Sequence, residues 1–294
     1  VYGSDAIAVD EITAGEQITA VGDQRVWYVD SANGDASFDG LSPQSAGVTL
    51  AAVEALASAG DIIVLAESHA ETLTAAVVVN IQGVRIIGLG QGTSRPTFTL
   101  NADVNAIELA AADIVLENVM FNEGTAAHTT RATIDVQGAN CVIRGCHFDL
   151  GTNDLETITV PDAGDNLTIE DCVFAVTADG PDAAIEVESA NVARLTIRRN
   201  TFICSDGTNA FDAAAINSLV ANTNMIVEGN RFLGAGAVAT AVIAASATDK
   251  IIQGNKYASD AVDADQGGAT IQRTWYVDSN NGNAAFDGLT PQTA

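Results

Sequence analysis

Four oxygen-bearing side chains lie within ten positions near the start of the chain: Asp30, Asn33, Asp35 and Asp39. Hard cations such as Ca²⁺ take oxygen ligands from short loops rich in Asp and Asn, so this spacing predicts a candidate weak calcium site. The residue order of an EF-hand is missing, and Asn283 replaces Asp35 in a second copy of the motif. Asx turns that fix the loop are therefore the favoured alternative, and no other cofactor is predicted.

Paired carboxylates are the residues that could act on a glycosidic bond. Hydrolysis needs two carboxyl groups roughly 5–9.5 Å apart, and lyase chemistry needs a base together with neutralisation of an acidic sugar. The sequence offers Asp206 with Asp212 and Asp179 with Asp182, all in Gly-containing turns where carboxylates are usually solvated. No catalytic residue is predicted, and we expect no turnover of acidic or neutral polysaccharides.

The histidines and cysteines show no catalytic or metal-binding spacing. His69, His128 and His147 are far apart, and no Ser/His/Asp pattern accompanies them, so all three are predicted to be surface residues. The four cysteines lack the paired spacing of a zinc site. We predict that they are small buried hydrophobic residues. They are Cys141, Cys146, Cys172 and Cys204.

The charge balance excludes several classes of partner. There are 12 Lys+Arg against 38 Asp+Glu, for a formal charge of −26, and the only lysines are Lys250 and Lys256. Contacts to nucleic-acid phosphates need clustered Lys and Arg, so nucleic acid and anionic membranes are not expected partners. No apolar run reaches the ~18 residues of a membrane span, and no leader is recognised, so we expect a soluble mature chain without membrane insertion.

These residues are positioned by a short repeat in which an aromatic residue recurs at spacings of 27, 26, 28, 30 and 25. A second short strand precedes each aromatic segment, of the type Ile-x-Val or Ile-x-Leu before the first four and more loosely at Ile216 and Ile243. Such a strand-turn-strand unit cannot bury its apolar face alone, whereas stacked copies can. We predict that the aromatic rings form one buried column. They belong to Phe121, Phe148, Phe174, Phe202, Phe232 and Tyr257.

Two polar columns accompany the rings. Asn200, Asn230 and Asn255 occupy equivalent turn positions, where an asparagine ladder satisfies side-chain amides from coil to coil. The outward column alternates in charge sign between neighbouring coils, which predicts attractive pairs and gives its arginines a structural role. Its members are Glu117, Arg144, Glu170, Arg198, Glu228 and Gln253.

A short helix is predicted over Thr49–Ala59, with Thr49 as its N-cap and Gly60-Asp61 at its end. Leu50, Val53, Leu56 and Ala57 fall roughly on one face, which would cover the open end of the stacked coils. The predicted fold is an all-β, right-handed parallel β-helix of about seven coils with a short N-terminal capping helix. The handedness follows from crossover chirality.

A long repeat sets the predicted domain organisation. The segment Val26–Gln44 is matched by Thr274–Gln292 at a constant offset of 248. We interpret residues 1–25 as the tail of a preceding module, 26–61 as an opening motif with the capping helix, and 62–260 as the β-helix. Residues 261–294 are a linker and the start of a second opening motif. We expect 274–294 to pack against Ile251–Tyr257 or against a neighbouring module.

The opening motif resembles that of right-handed parallel β-helix proteins, which occur among secreted bacterial proteins and phage tail or capsid-surface proteins. The resemblance rests on Tyr28-Val29-Asp30, Asn33-Gly34, Asp39-Gly40-Leu41-Ser42-Pro43, the Ala-rich helix and Gly60-Asp61-Ile62-Ile63, and with the coils it covers most of residues 26–260. It implies the fold but not one function, because that fold hosts pectate lyases, polygalacturonases, tailspikes and inert adhesins.

Two functions follow as expectations. The first is a non-enzymatic structural or adhesive module of a repetitive extracellular or virion surface fibre, whose partners are copies of itself or neighbouring modules. The alternative is a tailspike-like protein that binds or cleaves a surface glycan. The tandem repeat favours the first, because rigidity and spacing benefit from repeated copies. The expected location is extracellular, at the cell surface or at the virion surface.

Overall fold

The computed structural model describes residues 24–257, apart from 125–131, 152–155, 162, 178–179, 190–191, 205–210, 212, 219, 221, 235–241 and 245–246. The preceding-module tail, the second opening motif and the predicted packing of residues 274–294 therefore lie outside the described residues. His128, Asp179, Asp206 and Asp212 lie outside them as well.

The chain folds into short strands with one α-helix, Leu50–Glu54 (α1), and two 3-10 turns, Pro43–Ser45 and Gly92–Ser94, among the described residues. The first eight strands are Val26–Val29 (β1), Ile62–Leu65 (β2), Ala70–Leu73 (β3), Val77–Val79 (β4), Arg85–Gly88 (β5), Thr97–Leu100 (β6), Ile107–Leu109 (β7) and Val115–Glu117 (β8). The next eight are Met120–Glu123 (β9), Ala132–Val136 (β10), Val142–Arg144 (β11), His147–Leu150 (β12), Glu156–Val160 (β13), Thr168–Glu170 (β14), Val173–Val176 (β15) and Ala183–Val187 (β16). The last eight are Thr196–Arg198 (β17), Thr201–Cys204 (β18), Ala214–Asn217 (β19), Ile226–Glu228 (β20), Arg231–Gly234 (β21), Val242–Ile243 (β22), Ile251–Gln253 (β23) and Lys256–Tyr257 (β24).

The strands form three parallel sheets, which are the walls of a β-solenoid. The nine-stranded sheet runs β1-β2-β5-β8-β11-β14-β17-β20-β23, the eight-stranded sheet runs from β24 to β3, and the seven-stranded sheet runs from β22 to β4. Neighbouring strands of the seven-stranded sheet are one turn apart, so its strands span about six turns. The predicted all-β parallel solenoid is confirmed, with about six turns rather than seven.

Each turn contains three strands, whereas the sequence suggested two. The segment that ends in the aromatic residue is broken between the nine- and eight-stranded sheets by a residue with positive φ, such as Asn118 (φ 56), Asp171 (φ 56) or Arg199 (φ 54). The left-handed conformation at this point turns the chain sharply and reverses the alternation of side chains. An aliphatic residue and the aromatic five positions later, as in Ile169 and Phe174, therefore both face the core.

Five of the six predicted rings form a buried stack, which also includes Phe98. The centroids of Phe148 and Phe174 are 4.7 Å apart and their planes differ by 4°, and Phe174 and Phe202 are 4.9 Å apart at 7°. Tyr257 pairs in backbone register with Phe232 at the end of this sheet. Because adjacent turns are ~4.8 Å apart, rings at equivalent positions stack face to face.

The asparagine column forms a hydrogen-bonded ladder inside the turn. Asn200 Nδ2 donates to Asn230 Oδ1 at 3.2 Å, and Asn230 Nδ2 donates to Asn255 Oδ1 at 3.1 Å. Asn230 Nδ2 also donates to the carbonyl oxygen of Ile197 at 3.0 Å, and both Asn200 and Asn230 are fully buried. The ladder supplies the hydrogen bonds that buried amides require.

The cap at the start of the solenoid is shorter than predicted. Thr49 is the N-cap and accepts from the Ala52 N–H at 3.3 Å, but α1 ends at Glu54 rather than Ala59. The helix cannot continue because the Ser58 N–H donates to buried Asp61 Oδ2 at 2.8 Å. Leu50 and Val53 are buried, as their predicted shared face requires, whereas Leu56 is 51% exposed because it lies beyond the helix.

No helix in the described part of the chain is long and apolar enough to cross a membrane.

Candidate functional site

The three carboxylates of the predicted calcium loop accept hydrogen bonds from groups of that same loop, residues 30–45, which we call the opening loop. Asp30 Oδ1 accepts from the Ala32 N–H at 2.8 Å, and Asp35 Oδ1 accepts from the Ser37 N–H at 2.8 Å. Asp39 Oδ1 accepts from the Ser45 hydroxyl at 2.6 Å, and this bond lowers the pKa of Asp39. Such bonds are those of Asx turns. Among the described residues, no group of three or more His, Cys, Asp or Glu side chains could hold a metal ion.

His69 is buried, so its prediction as a surface residue is wrong. Its Nδ1 accepts from the Ser31 N–H at 3.0 Å, and its Nε2 lies 3.3 Å from Glu71 Oε2. The same Glu71 oxygen accepts from the Leu50 N–H at 3.0 Å. His69 therefore ties the opening loop to α1, a role that sequence spacing could not reveal because its partners come from separate segments.

Among the described residues, His147 and the four cysteines are not placed as catalytic groups. His147 is partly exposed on the outer side of β12, and burial together with the charge of Arg95 lowers its pKa. All four cysteines are buried free thiols. Burial raises the pKa of Cys141 to about 11, so its thiol stays protonated at neutral pH.

A set of carboxyl groups lies on or directly beside strands of the seven-stranded sheet. We call Asp135, Glu156, Asp182, Glu186 and Glu188 the acidic cluster. Asp135 follows Ile134 on β10, and Glu156 and Glu186 lie on β13 and β16. Ile134, Ile158 and Ile185 are fully buried and in register, so Asp135 and Glu186, each one residue after such an isoleucine, point toward the outer face. Glu156 begins β13, and the charge of Glu186 acts on it.

Two glutamates of the acidic cluster have strongly perturbed protonation. Burial raises the pKa of Glu156 to about 7, and the charges of Glu186, Glu188 and Asp182 act in the same direction. Burial also raises the pKa of Glu186 to about 7, against an opposing hydrogen bond from Asn217. Half-buried glutamates with a pKa near neutrality can hold or release a proton at physiological pH, as a general acid or base must.

The outer face of the nine-stranded sheet shows how this solenoid treats carboxylates that have only a structural role. Arg144 Nη2 lies 2.7 Å from Glu117 Oε2, and Arg198 Nε lies 2.7 Å from Glu170 Oε2, each pair joining adjacent turns. By contrast, none of the ion pairs between described residues includes a member of the acidic cluster. The cluster therefore carries charge that the described fold does not neutralise.

Sequence reasoning predicted no catalytic residue and did not single out Glu156 or Glu186. Of the four aspartates that it considered and set aside, the structure describes Asp182 alone. A signal was present, because Glu186 and Asp135 are the central residues of the Ile-x-Val strands. The raised pKa values of Glu156 and Glu186 could not be predicted from the sequence pattern, because they depend on burial and on carboxylates that other segments of the chain contribute.

A separate cavity of about 370 Å³ lies at the start of the solenoid, distant in the fold from the acidic cluster. Tyr28, Val64 and Leu89 supply apolar walls, and Asp30 and Glu67 lie at its margin. Its lining contains no His, Cys, Lys or Arg. The acidic cluster is therefore the better candidate for chemistry.

No protein-family model and no curated protein sequence matches the chain. Among solved structures, a rhamnogalacturonan lyase is similar over 80% of this chain and 63% of its own, with 12% identity and a TM-score of 0.44. The PL6 family alginate lyase AlyGC, in a mutant form, is similar over 69% of this chain and 36% of its own, with 12% identity and a TM-score of 0.37.

A GH136 lacto-N-biosidase from Eubacterium ramulus is similar over 81% of this chain and 67% of its own, with 11% identity and a TM-score of 0.28. The chain thus spans less than two thirds of the length of either lyase. These likenesses concern the parallel β-solenoid fold alone.

Proposed function

We propose that the chain binds and hydrolyses a glycan at the acidic cluster, with Glu156 as the general acid and Glu186 as the general base. The observation that carries this proposal is a pair of half-buried glutamates on neighbouring strands of one sheet, each with a pKa of about 7 and with the charge of Glu186 acting on Glu156. The proposal takes up the glycan-cleaving alternative from the sequence and departs from the structural function that the sequence favoured.

The roles follow from the different surroundings of the two carboxyl groups. Glycoside hydrolysis needs one protonated carboxyl to donate a proton to the leaving oxygen and one ionised carboxyl to activate a water molecule or to attack the sugar. Three neighbouring carboxylates favour the protonated form of Glu156. The hydrogen bond from Asn217 favours the ionised form of Glu186.

The spacing is compatible with attack by a water molecule. Glu156 pairs in register with Ala183, so Glu186 lies one turn and three residues away. Strand geometry puts the two Cα atoms about 11 Å apart. The charge of Glu186 raises the pKa of Glu156, so the two side chains interact across this separation. Inverting hydrolysis uses ~6.5–9.5 Å between the two carboxyl groups.

The charge of the site favours a neutral or basic glycan. An acidic sugar would bring a further negative charge to a cluster whose carboxyl groups already oppose one another's ionisation. Arg and Lys are absent from the seven strands of this sheet. The proposed substrate therefore differs in charge from a uronate polymer.

The test is product release from a panel of neutral, basic and acidic polysaccharides by the wild-type chain and by Glu156→Gln and Glu186→Gln. We expect new reducing ends from at least one neutral or basic glycan, and a loss of about 100-fold or more in each variant. Glu228→Gln, on the nine-stranded sheet, is the matched control and should keep full activity. Activity that survives in both cluster variants would refute the proposal.

The 248-residue repeat supports a second candidate function, a module of an extracellular surface fibre. We propose that repeated opening motifs let copies associate end to end, while the charge of −26 keeps fibres apart laterally. Sedimentation of the chain with and without residues 271–294 tests this. Equal association of both forms would reject the second motif as the contact between modules.

A further inference from the structure

A buried amide oxygen lies beside the general base. Asn217, on β19, pairs in register with Glu186 and is 6% exposed. Its side chain hydrogen-bonds Glu186, but its carbonyl oxygen Oδ1 is buried and has no donor among the described residues. A buried acceptor without a donor is costly, so such an atom points to a missing hydrogen-bond donor.

The surroundings define the chemistry of that donor. Glu186 is adjacent to Asn217, and Glu188 and Asp182 add negative charge that no ion pair in the described part of the chain neutralises. A group that satisfies Oδ1 and also relieves this charge must be a donor and a cation. A protonated primary amine has three donors, one positive charge and no acceptor.

We infer that the acidic cluster binds the protonated amine of an amino sugar, between Asn217 Oδ1 and Glu186, so that the glycan of the proposed function carries free amino groups. The inference rests on that function and names its substrate class. A metal ion fits less well, because no group of three acidic or metal-ligating side chains among the described residues could hold one, and Ca²⁺ takes six to eight oxygen ligands.

Bound amine would also assist the chemistry. A positive charge beside Glu186 favours its ionised form and so keeps it competent as a base. Glu156 lies one turn away, where Glu188 and Asp182 continue to favour its protonated form. Burial, and then the charge of Asp135, raises the pKa of Glu188. The charged groups that act on Glu156 and Glu186 are likewise carboxylates, which a bound amine would attract.

Calorimetric titration of the full chain with short glucosamine oligosaccharides tests the inference, using fully N-acetylated oligosaccharides of the same length for comparison. Below the pKa of the amine, we expect at least about tenfold tighter binding of the free-amine form. Asn217→Leu preserves side-chain size and net charge, and we expect it to remove most of this preference. Glu186→Gln should do the same, whereas Glu228→Gln removes an equal charge elsewhere and should leave the preference unchanged.

The outcomes separate this inference from the proposed function. Equal affinity for the two oligosaccharides, or a preference that persists in Asn217→Leu, would overturn the amine site even if neutral glycans are hydrolysed. A preference lost equally in Glu228→Gln and Glu186→Gln would also overturn it, because the attraction would then belong to the whole acidic surface. Amine-selective binding without any hydrolysis would support the site and refute the hydrolase.

Discussion

Phe174 lies in the middle of the ring stack, with Phe148 and Phe202 at 4.7 and 4.9 Å and no exposed surface. Replacing it by Ala leaves a cavity between Phe148 and Phe202. Each of these rings belongs to a neighbouring turn whose strand pairing prevents it from moving into the cavity. We expect Phe174→Ala to lower the free energy of unfolding by ~3–5 kcal/mol. Phe38→Ala, at a ring that is 42% exposed, is the control and should cost much less in the same denaturant titration. Equal effects would mean that the stack is not tightly packed.

His69 joins three segments through two nitrogen atoms, and its ring meets Phe98 edge-on with centroids 5.7 Å apart. His69→Ala would leave the Ser31 N–H without its acceptor, so we expect a cost of ~1–3 kcal/mol. Hydrogen exchange should increase in the opening loop and in α1 but not in the distant turns. His147→Ala, at a partly exposed site, should change neither measurement, and unaltered exchange in His69→Ala would contradict the assigned role.

At the scale of the elements, we expect two glutamates of the seven-stranded sheet to make the free energy of unfolding depend on pH. Glu156 and Glu186 have a pKa of about 7 in the folded chain against an ordinary value of 4.5. The folded chain therefore keeps protons that the unfolded chain loses between these values, and the free energy of unfolding falls as pH rises through this window. Below about 4.5 both states are protonated and this effect vanishes.

Glu156→Gln should remove part of that dependence. We expect its melting temperature, relative to the wild-type chain, to increase as pH rises from about 4.5 to about 7 and to stay constant above that range. Glu228→Gln is the control for loss of a carboxylate on another sheet. A difference between Glu156→Gln and the wild-type chain that does not vary with pH would show that Glu156 titrates normally.

The elements also show which parts of the structure a sequence can predict. The aliphatic columns and the ring register were readable because each turn repeats the same apolar positions, and a one-residue slip would bury the wrong face. The third strand of each turn was missed, since it depends on positive φ at residues as different as Asn118 and Arg199. The length of α1 was overestimated because Asp61, which takes the Ser58 N–H, acts through the folded loop.

The candidate site was less predictable than the fold. The acidic residues of the Ile-x-Val strands were visible in the sequence, but their proton affinity is a property of several turns at once. Glu156 is affected by residues 26 to 32 positions away in the chain, which the solenoid brings near it. Local motif searching cannot detect a site that is assembled by stacking.

At the scale of the whole molecule, the outer faces of the nine-stranded and seven-stranded sheets differ in how their acidic side chains are paired. The nine-stranded sheet alternates acidic and basic residues between turns, as in Glu117 with Arg144 and Glu170 with Arg198. The seven-stranded sheet leaves its acidic residues without basic partners in the described part of the chain. This asymmetry would direct a cationic ligand to one side of the solenoid.

The pH profile of kcat/KM for glycan hydrolysis tests the central claim most directly. We predict a bell-shaped profile whose two limbs report the coupled Glu156–Glu186 pair. Glu186→Gln should abolish hydrolysis, and Glu156→Gln should lose the alkaline limb while retaining activity on substrates whose leaving group needs no proton. A profile that both substitutions leave unchanged, or no hydrolysis of any glycan by the wild-type chain, would contradict the account.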